Sequence, residues 1–326
     1  MKKRIEWIDI AKGIGIFLVI AGHTGLPEVF RAWIYSFHMP MFFLISGYLF
    51  KVKSQRECVK QVFMSLIRPY LIYSGVFVLI DYNIFNNKNQ LFDGFLNTII
   101  GKGGFSVLWF FIALFWIQVS FNYIISKFEK IKAIKIIMSI TIGGYIISLT
   151  YLSKFNFYYV ITSSITLSFF YIGYWIKIKN VDICKRLNNI WILFICFVFN
   201  LISFYMNYHL FNRRIDLSDA YFGFLPFTYI SAITGTYIIV YIAYKLGHKF
   251  YIKLIKYVGE NTLWYFPLSA YIPKRIVYIL EDIYMERVSF FGKSIVIFMS
   301  IIFIAIIIET WKKYKRIVIN RALIDL

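Results

Sequence analysis

The 326 residues carry a formal charge of +20, from 36 basic against 16 acidic side chains, yet 60% of them are hydrophobic, 21% aromatic and only 16% charged. Soluble domains are typically about 45 to 50% apolar and about 25% charged, so this composition, with a mean hydropathy of +0.67, excludes one and makes a bilayer the solvent. The charge excess then has to be explained by where the basic residues fall.

Lys2, Lys3 and Arg4 precede a first apolar run at 8–25 that has no small-residue cleavage site after it, which predicts an uncleaved helix and a cytoplasmic amino terminus. Further apolar runs follow at 31–50, 69–85, 105–125, 136–152, 158–176, 190–208, 221–243, 261–280 and 294–311, each long enough for about 30 Å of hydrocarbon. The expected fold is an all-α integral membrane protein: a bundle of about ten transmembrane helices, both termini cytoplasmic, with one membrane-embedded domain over 1–326.

Alternate connections are basic: 51–68 (Lys51, Lys53, Arg56, Lys60, Arg68), 126–135 (Lys127, Lys130, Lys132, Lys135), 177–189 (Lys177, Lys179, Lys185, Arg186), 244–260 (Lys245, Lys249, Lys253, Lys256) and the tail (Lys312, Lys313, Lys315, Arg316, Arg321). The opposite connections collect acid, including Glu28, Asp93, Asp216, Asp219, Glu281, Asp282 and Glu286. That alternation is the positive-inside pattern. It reads as a topology signal with contacts to anionic membrane lipids, and it argues against a nucleic-acid partner. Cys58, Cys184 and Cys196 show neither metal-ligand spacing nor a pairing scheme, so neither a metal nor a disulfide framework is expected. No inverted repeat of the kind that marks many transporters is visible.

Charged residues inside a span are costly and usually mark function. The first run holds Asp9, Lys12 and His23. Lys12 and His23 are eleven positions apart, which returns them to one helix face within about 20° and separates them by about 16 Å along the axis. Asp9 and Lys12, three apart, can pair across a turn. Ala11, Gly15 and Gly22 allow a neighbouring helix to approach. A plainer reading has Asp9 and Lys12 at the inner interface and His23 capping a polar end.

In the second run, Ser36-Phe37-His38-Met39-Pro40 places a histidine before a proline. Pro40 frees the carbonyl of Ser36, which a membrane tolerates only where something else satisfies it. A kink beside a polar pocket is expected, with His38 either facing the pocket or acting as a structural hydrogen-bond donor.

The Asp-Ile-Ala-Lys-Gly segment at 9–13, Gly22-His23-Thr24, and above all Phe37-His38-Met39-Pro40-Met41-Phe42-Phe43 through Ser46-Gly47-Tyr48 resemble the membrane-bound acyltransferase family 3 of bacterial surface-polysaccharide O-acetyltransferases. Ile67-Arg68-Pro69-Tyr70, Leu108-Trp109-Phe110-Phe111, Phe170-Tyr171-Ile172-Gly173-Tyr174 and Gly259-Glu260-Asn261-Thr262-Leu263 extend the resemblance over nearly the whole chain.

The resemblance implies a membrane-bound O-acetyltransferase of the bacterial cytoplasmic membrane, with acetyl-CoA as acyl donor and a surface glycan or its lipid-linked precursor as acceptor. Family members carry a basic residue, commonly arginine, separated by ten residues from a first-span histidine. By that likeness His23 is the catalytic base, and Asp9 is assigned to the catalytic set with it. Lys12, Arg68 and Trp109 serve the donor, and His38, Ser46, Tyr48 and Asn261 line the pocket. Arg68 also reads as an ordinary interface residue, and Trp109 as a packed or interfacial ring. Relatives often have a second histidine late in the ninth span, where Trp264-Tyr265-Phe266-Pro267-Leu268-Ser269 has none. A multi-helix transporter is the main alternative and a membrane scaffold the third. The acceptor sugar and the oligomeric state stay open.

Overall fold

The computed structural model describes residues 5–85, 88–99, 107–179, 189–247, 252–284 and 288–324. Lys2, Lys3, Arg4, Cys184, Lys185, Arg186, Lys249 and Glu286, to which sequence patterns assign a side of the membrane or a pairing state, lie outside the described residues.

Among the described residues the regular structure is helical, apart from one isolated bridge between Asp216 and Tyr221. Hydrocarbon offers no water to a backbone N–H or C=O, and a helix satisfies both internally. The helices are α1 (Glu6–His23), α2 (Glu28–Tyr35), α3 (His38–Leu49), α4 (Gln55–Val62), α5 (Arg68–Phe85), α6 (Lys88–Ile99), α7 (Trp109–Lys127), α8 (Lys130–Ser148), α9 (Val160–Ile178), α10 (Ile190–Phe211), α11 (Leu225–Leu246), α12 (Lys253–Glu260), α13 (Thr262–Tyr284) and α14 (Phe290–Ile324). They form two compact units, Met1–Arg31 with Ile242–Leu326, and Ala32–Tyr241.

Seven of the helical stretches are long and apolar enough to cross a membrane. The other three apolar runs are helical but fall short for visible reasons. The first, α1, carries Glu6, Asp9 and Lys12 within 18 residues. The second run divides at Ser36 and Phe37 into α2 and α3. The third, α13, contains Lys274, Arg275, Pro267 and Pro273.

In α10 the polarity of a soluble helix is inverted. Its buried residues are Asn200, Ser203 and Asn207, while Trp191, Phe194, Ile195, Phe199 and Ile202 are exposed. Asn200 accepts from Trp33 Nε1 and donates to the Ser231 carbonyl, both at 2.8 Å. Asn207 accepts from the Phe224 amide and donates to Thr228 Oγ1, both at 2.9 Å. Polar groups hold this helix inward because hydrocarbon competes with its apolar face but not with its hydrogen bonds.

Two features depart from the sequence expectation. Segment 51–68 reads as a basic loop, yet it is helix from Gln55 onward, and the candidate crossing is Gln55–Asp81. Ser54 caps that helix, its hydroxyl accepting from the Glu57 amide at 3.4 Å, and Phe63–Ile67 forms a π turn between α4 and α5. Pro69 follows Arg68 in the first turn of α5. It has no N–H for the carbonyl four residues back and its ring crowds that carbonyl, which favours the wider turn there. The kink expected at Pro40 is a full break at Ser36 and Phe37 rather than a bend within one helix. Pro40 itself sits in the first turn of α3, where no N–H donor is needed.

Candidate functional site

The first unit is built on α1. Gly13 and Gly259 bring its backbone against α12: a Cβ on Gly13 would meet the Ile255 carbonyl, and one on Gly259 would meet the Asp9 carbonyl. At this crossing Lys12 Nζ lies 2.7 Å from Asp9 Oδ1. The Asp9 side chain is 7% exposed, and its second oxygen, Oδ2, is buried without a hydrogen-bond partner. Lys256 Nζ reaches Glu6 Oε1 at 2.6 Å, and that bond is the main cause that holds the Lys256 ammonium above its ordinary range. Tyr257 donates to Glu309 Oε1 at 2.5 Å, and Lys312 meets the same oxygen at 2.9 Å.

The other end of α1 is His23, half-buried in the last turn. Thr24 follows, its hydroxyl donating to the Ala21 carbonyl at 3.0 Å, and then Gly25 with φ +75°. Arg31 Nε donates to the Gly22 carbonyl at 3.2 Å, and Lys293 Nζ donates to the Gly25 carbonyl at 3.2 Å. Asn261 ends α12, its amide donating to the Tyr257 carbonyl at 2.8 Å.

The second unit holds His38 at the start of α3. The imidazole is buried, and Nδ1 lies 2.8 Å from the Ile34 carbonyl. A carbonyl only accepts, so the contact assigns the proton to Nδ1 and leaves Nε2 as the basic nitrogen of the neutral ring. The Tyr35 ring lies 5.0 Å from the imidazole, with the Arg214 guanidinium 4.8 Å over the tyrosine and Asp216 3.6 Å from Arg214. In the same connection partial desolvation, with Asp216 as a second cause, raises the exposed Asp219 carboxyl above its usual range despite Arg213 at 3.1 Å. The carbonyl of Ser36 accepts from Ser231 Oγ at 3.4 Å, which meets the requirement that the sequence placed on it.

Trp109 opens α7, packed between Phe43 at 6.3 Å, Phe110 at 6.1 Å and Tyr159 at 6.0 Å. Tyr158 and Tyr159 both have positive φ, 49° and 54°, a conformation that costs a non-glycine residue about 1 to 3 kcal/mol. Asn156 steadies them, its side-chain oxygen accepting from the Ile161 amide at 3.0 Å. Arg68 is exposed on the continuous helix begun at Gln55, about 20 Å along it at ~1.5 Å per residue. Ser46 and Tyr48 flank Gly47, where a Cβ would strike the Phe170 carbonyl, and Gly173 opposite would strike the Leu44 carbonyl.

The model of the family described as Acyltransferase domain matches residues 5–311. The chain belongs to acyltransferase family 3. No curated protein and no solved structure matches it.

Family membership makes the protein an acyltransferase, and the structure sorts the sequence candidates of this acyltransferase by surroundings. Asp9, Lys12, His23 and Asn261 belong to the first unit; His38, Ser46, Tyr48, Arg68 and Trp109 belong to the second. Several motifs that carry the resemblance sit at helix crossings: Gly47 and Gly173 join α3 to α9, and Gly259 joins α12 to α1. Sequence reasoning did not find Arg31 and Lys293 at the His23 end. Arg31 was legible as a charge beside the second run, but Lys293 contacts a residue 268 positions away.

Proposed function

We propose that the protein transfers an acetyl group from acetyl-CoA to a hydroxyl of a cell-surface polysaccharide or its lipid-linked precursor. It acts as a multi-pass protein of a bacterial cytoplasmic membrane, with ten spans, both termini inside and one membrane-embedded domain. The observation that carries this reading is α1 itself. It is unbroken from Glu6 to His23, so the Asp9–Lys12 pair and His23 are fixed about 16 Å apart on one face, within a chain that the acyltransferase family model matches over 5–311.

The donor and acceptor of this reaction lie on opposite sides of the bilayer, and a single rigid helix with a cation near one end and an imidazole at the other suits that separation. Lys12, held by Asp9, pairs with a phosphate of the donor. His23 takes the proton of the acceptor hydroxyl as the oxygen attacks the thioester carbonyl. The carbon–sulfur bond breaks, and the CoA thiolate leaves and takes up a proton. A neutral imidazole nitrogen accepts that proton without an oxidant or a metal. His38, with Nδ1 committed to a backbone carbonyl, offers a second basic nitrogen in the second unit.

His23→Ala tests the assignment. Membranes containing the variant at wild-type abundance are expected to lose O-acetyl groups on the native glycan, measured by mass spectrometry against a deletion strain. Undiminished acetylation overturns the role of His23.

A further inference from the structure

Two cations from different helices converge on the turn that ends α1. Arg31, just beyond the start of α2, donates through Nε to the Gly22 carbonyl at 3.2 Å. Lys293, on α14, donates to the Gly25 carbonyl at 3.2 Å. His23 lies between the two carbonyls in the chain. Resting on the acyl-transfer reading above, we propose that Arg31 and Lys293 form an anion-binding clasp, which selects an acceptor carrying a carboxylate or phosphoester near the hydroxyl to be acylated.

The clasp is built into the turn. Gly25 has φ +75°, a backbone conformation that favours glycine, and Lys293 Nζ lies 3.0 Å from where a Cβ would stand. Carbonyls at a helix C-terminus attract cations, which fixes the two charges before a ligand arrives and lowers the ordering cost of binding. Neither cation is used up. An ammonium has three N–H groups, and Lys293 spends one on Gly25, with no carboxylate partner among the described residues. Arg31 gives Nη1 to Glu28 at 3.1 Å and keeps Nη2 available. Two cations against one carboxylate leave a net positive charge.

Reach fixes the class of ligand. Three peptide units join Gly22 to Gly25, at most about 11 Å between Cα atoms, and His23 lies within that stretch, so an anion held by both cations is bound beside the turn that carries the imidazole. A carboxylate or phosphoester on the reacting sugar or its neighbour fits that placement. The phosphate of a lipid-linked sugar does so as well.

The test uses the full-length protein in phosphatidylcholine vesicles, acetyl-CoA, and the envelope glycan of a deletion strain, both as isolated and after carboxyl reduction or dephosphorylation. The wild type is expected to prefer the charged glycan in kcat/KM. Lys293→Gln is expected to lower the charged-to-neutral ratio about tenfold, Lys293→Arg to restore most of it, and KM for acetyl-CoA to stay constant. Arg31→Gln gives the same ratio independently if Lys293→Gln fails to accumulate. An unchanged ratio in the Gln variants overturns the clasp. So does an effect that follows added phosphatidylglycerol rather than acceptor charge, since it assigns the cations to a lipid headgroup. Failure of the wild type to acetylate either glycan counts instead against the acyl-transfer reading.

Discussion

Asp9 has one oxygen on the Lys12 ammonium at 2.7 Å and the other buried without a partner. Leaving a buried acceptor unsatisfied costs about 1 to 3 kcal/mol. The cost is accepted at the one place in α1 where a lysine must be held still. Asp9→Asn keeps the shape of the side chain but removes the charge that orients Lys12. It is expected to raise KM for acetyl-CoA about tenfold, as loss of a charged hydrogen bond does, while kcat changes less than KM and the protein accumulates normally. A purely structural role for Asp9 shows instead as reduced accumulation with KM unchanged. These residues were legible because three and eleven positions have a fixed meaning on a helix. Lys293 was not, because no local periodicity connects it to a glycine 268 positions away.

At the scale of the element, close backbone crossings organise both units, and glycine permits each of them. A Cβ at Gly47 or Gly173 meets a backbone carbonyl, and backbone in the middle of two packed helices cannot turn aside as a side-chain tip can. Gly143 has nothing within 4 Å of the same added atom. Gly47→Ala is therefore expected to lower stability by about 1 to 3 kcal/mol through overpacking. Gly143→Ala, in the same kind of helix, is expected to hold or gain up to about 1 kcal/mol from helix propensity. Thermal unfolding of the detergent-solubilised protein measures both, and equal shifts in the two variants overturn the crossing account. Helices α3 and α9 were plain in the sequence as apolar runs, but their contact was not, since an apolar run reports burial or lipid without naming a partner. The start of the third crossing's helix was missed for a different reason. Lys53, Arg56, Lys60 and Arg68 signalled a loop, whereas the local capping signature Ser54-Gln55-Arg56-Glu57 already marked a helix start. The break expected from Pro40 in 31–50 was legible, but it falls at Ser36 and Phe37, with the proline itself in the first turn of the next helix.

At the scale of the whole molecule, charge asymmetry carries the orientation on which the proposed trans-bilayer reaction depends. If the amino terminus is inside, Lys12 faces the donor side and His23 the acceptor side; in the opposite orientation the proposed chemistry runs against the location of CoA. The basic connections around Lys130 and Lys179, and the connections holding Ser153 and Asp219 opposite them, make this directly measurable. With Cys58, Cys184 and Cys196 replaced by serine, single cysteines at Lys130 and Lys179 are expected to react with a membrane-impermeant maleimide only after permeabilisation. Cysteines at Ser153 and Asp219 are expected to react in intact cells. Ser153 lies in the short 3-10 turn between α8 and α9, and Asp219 is exposed between α10 and α11, so the outer probes have access to reagent without unfolding a helix. Labelling of Lys130→Cys in intact cells inverts the topology, places His23 with the CoA pool, and removes the separation that a 16 Å helical spacing was proposed to bridge.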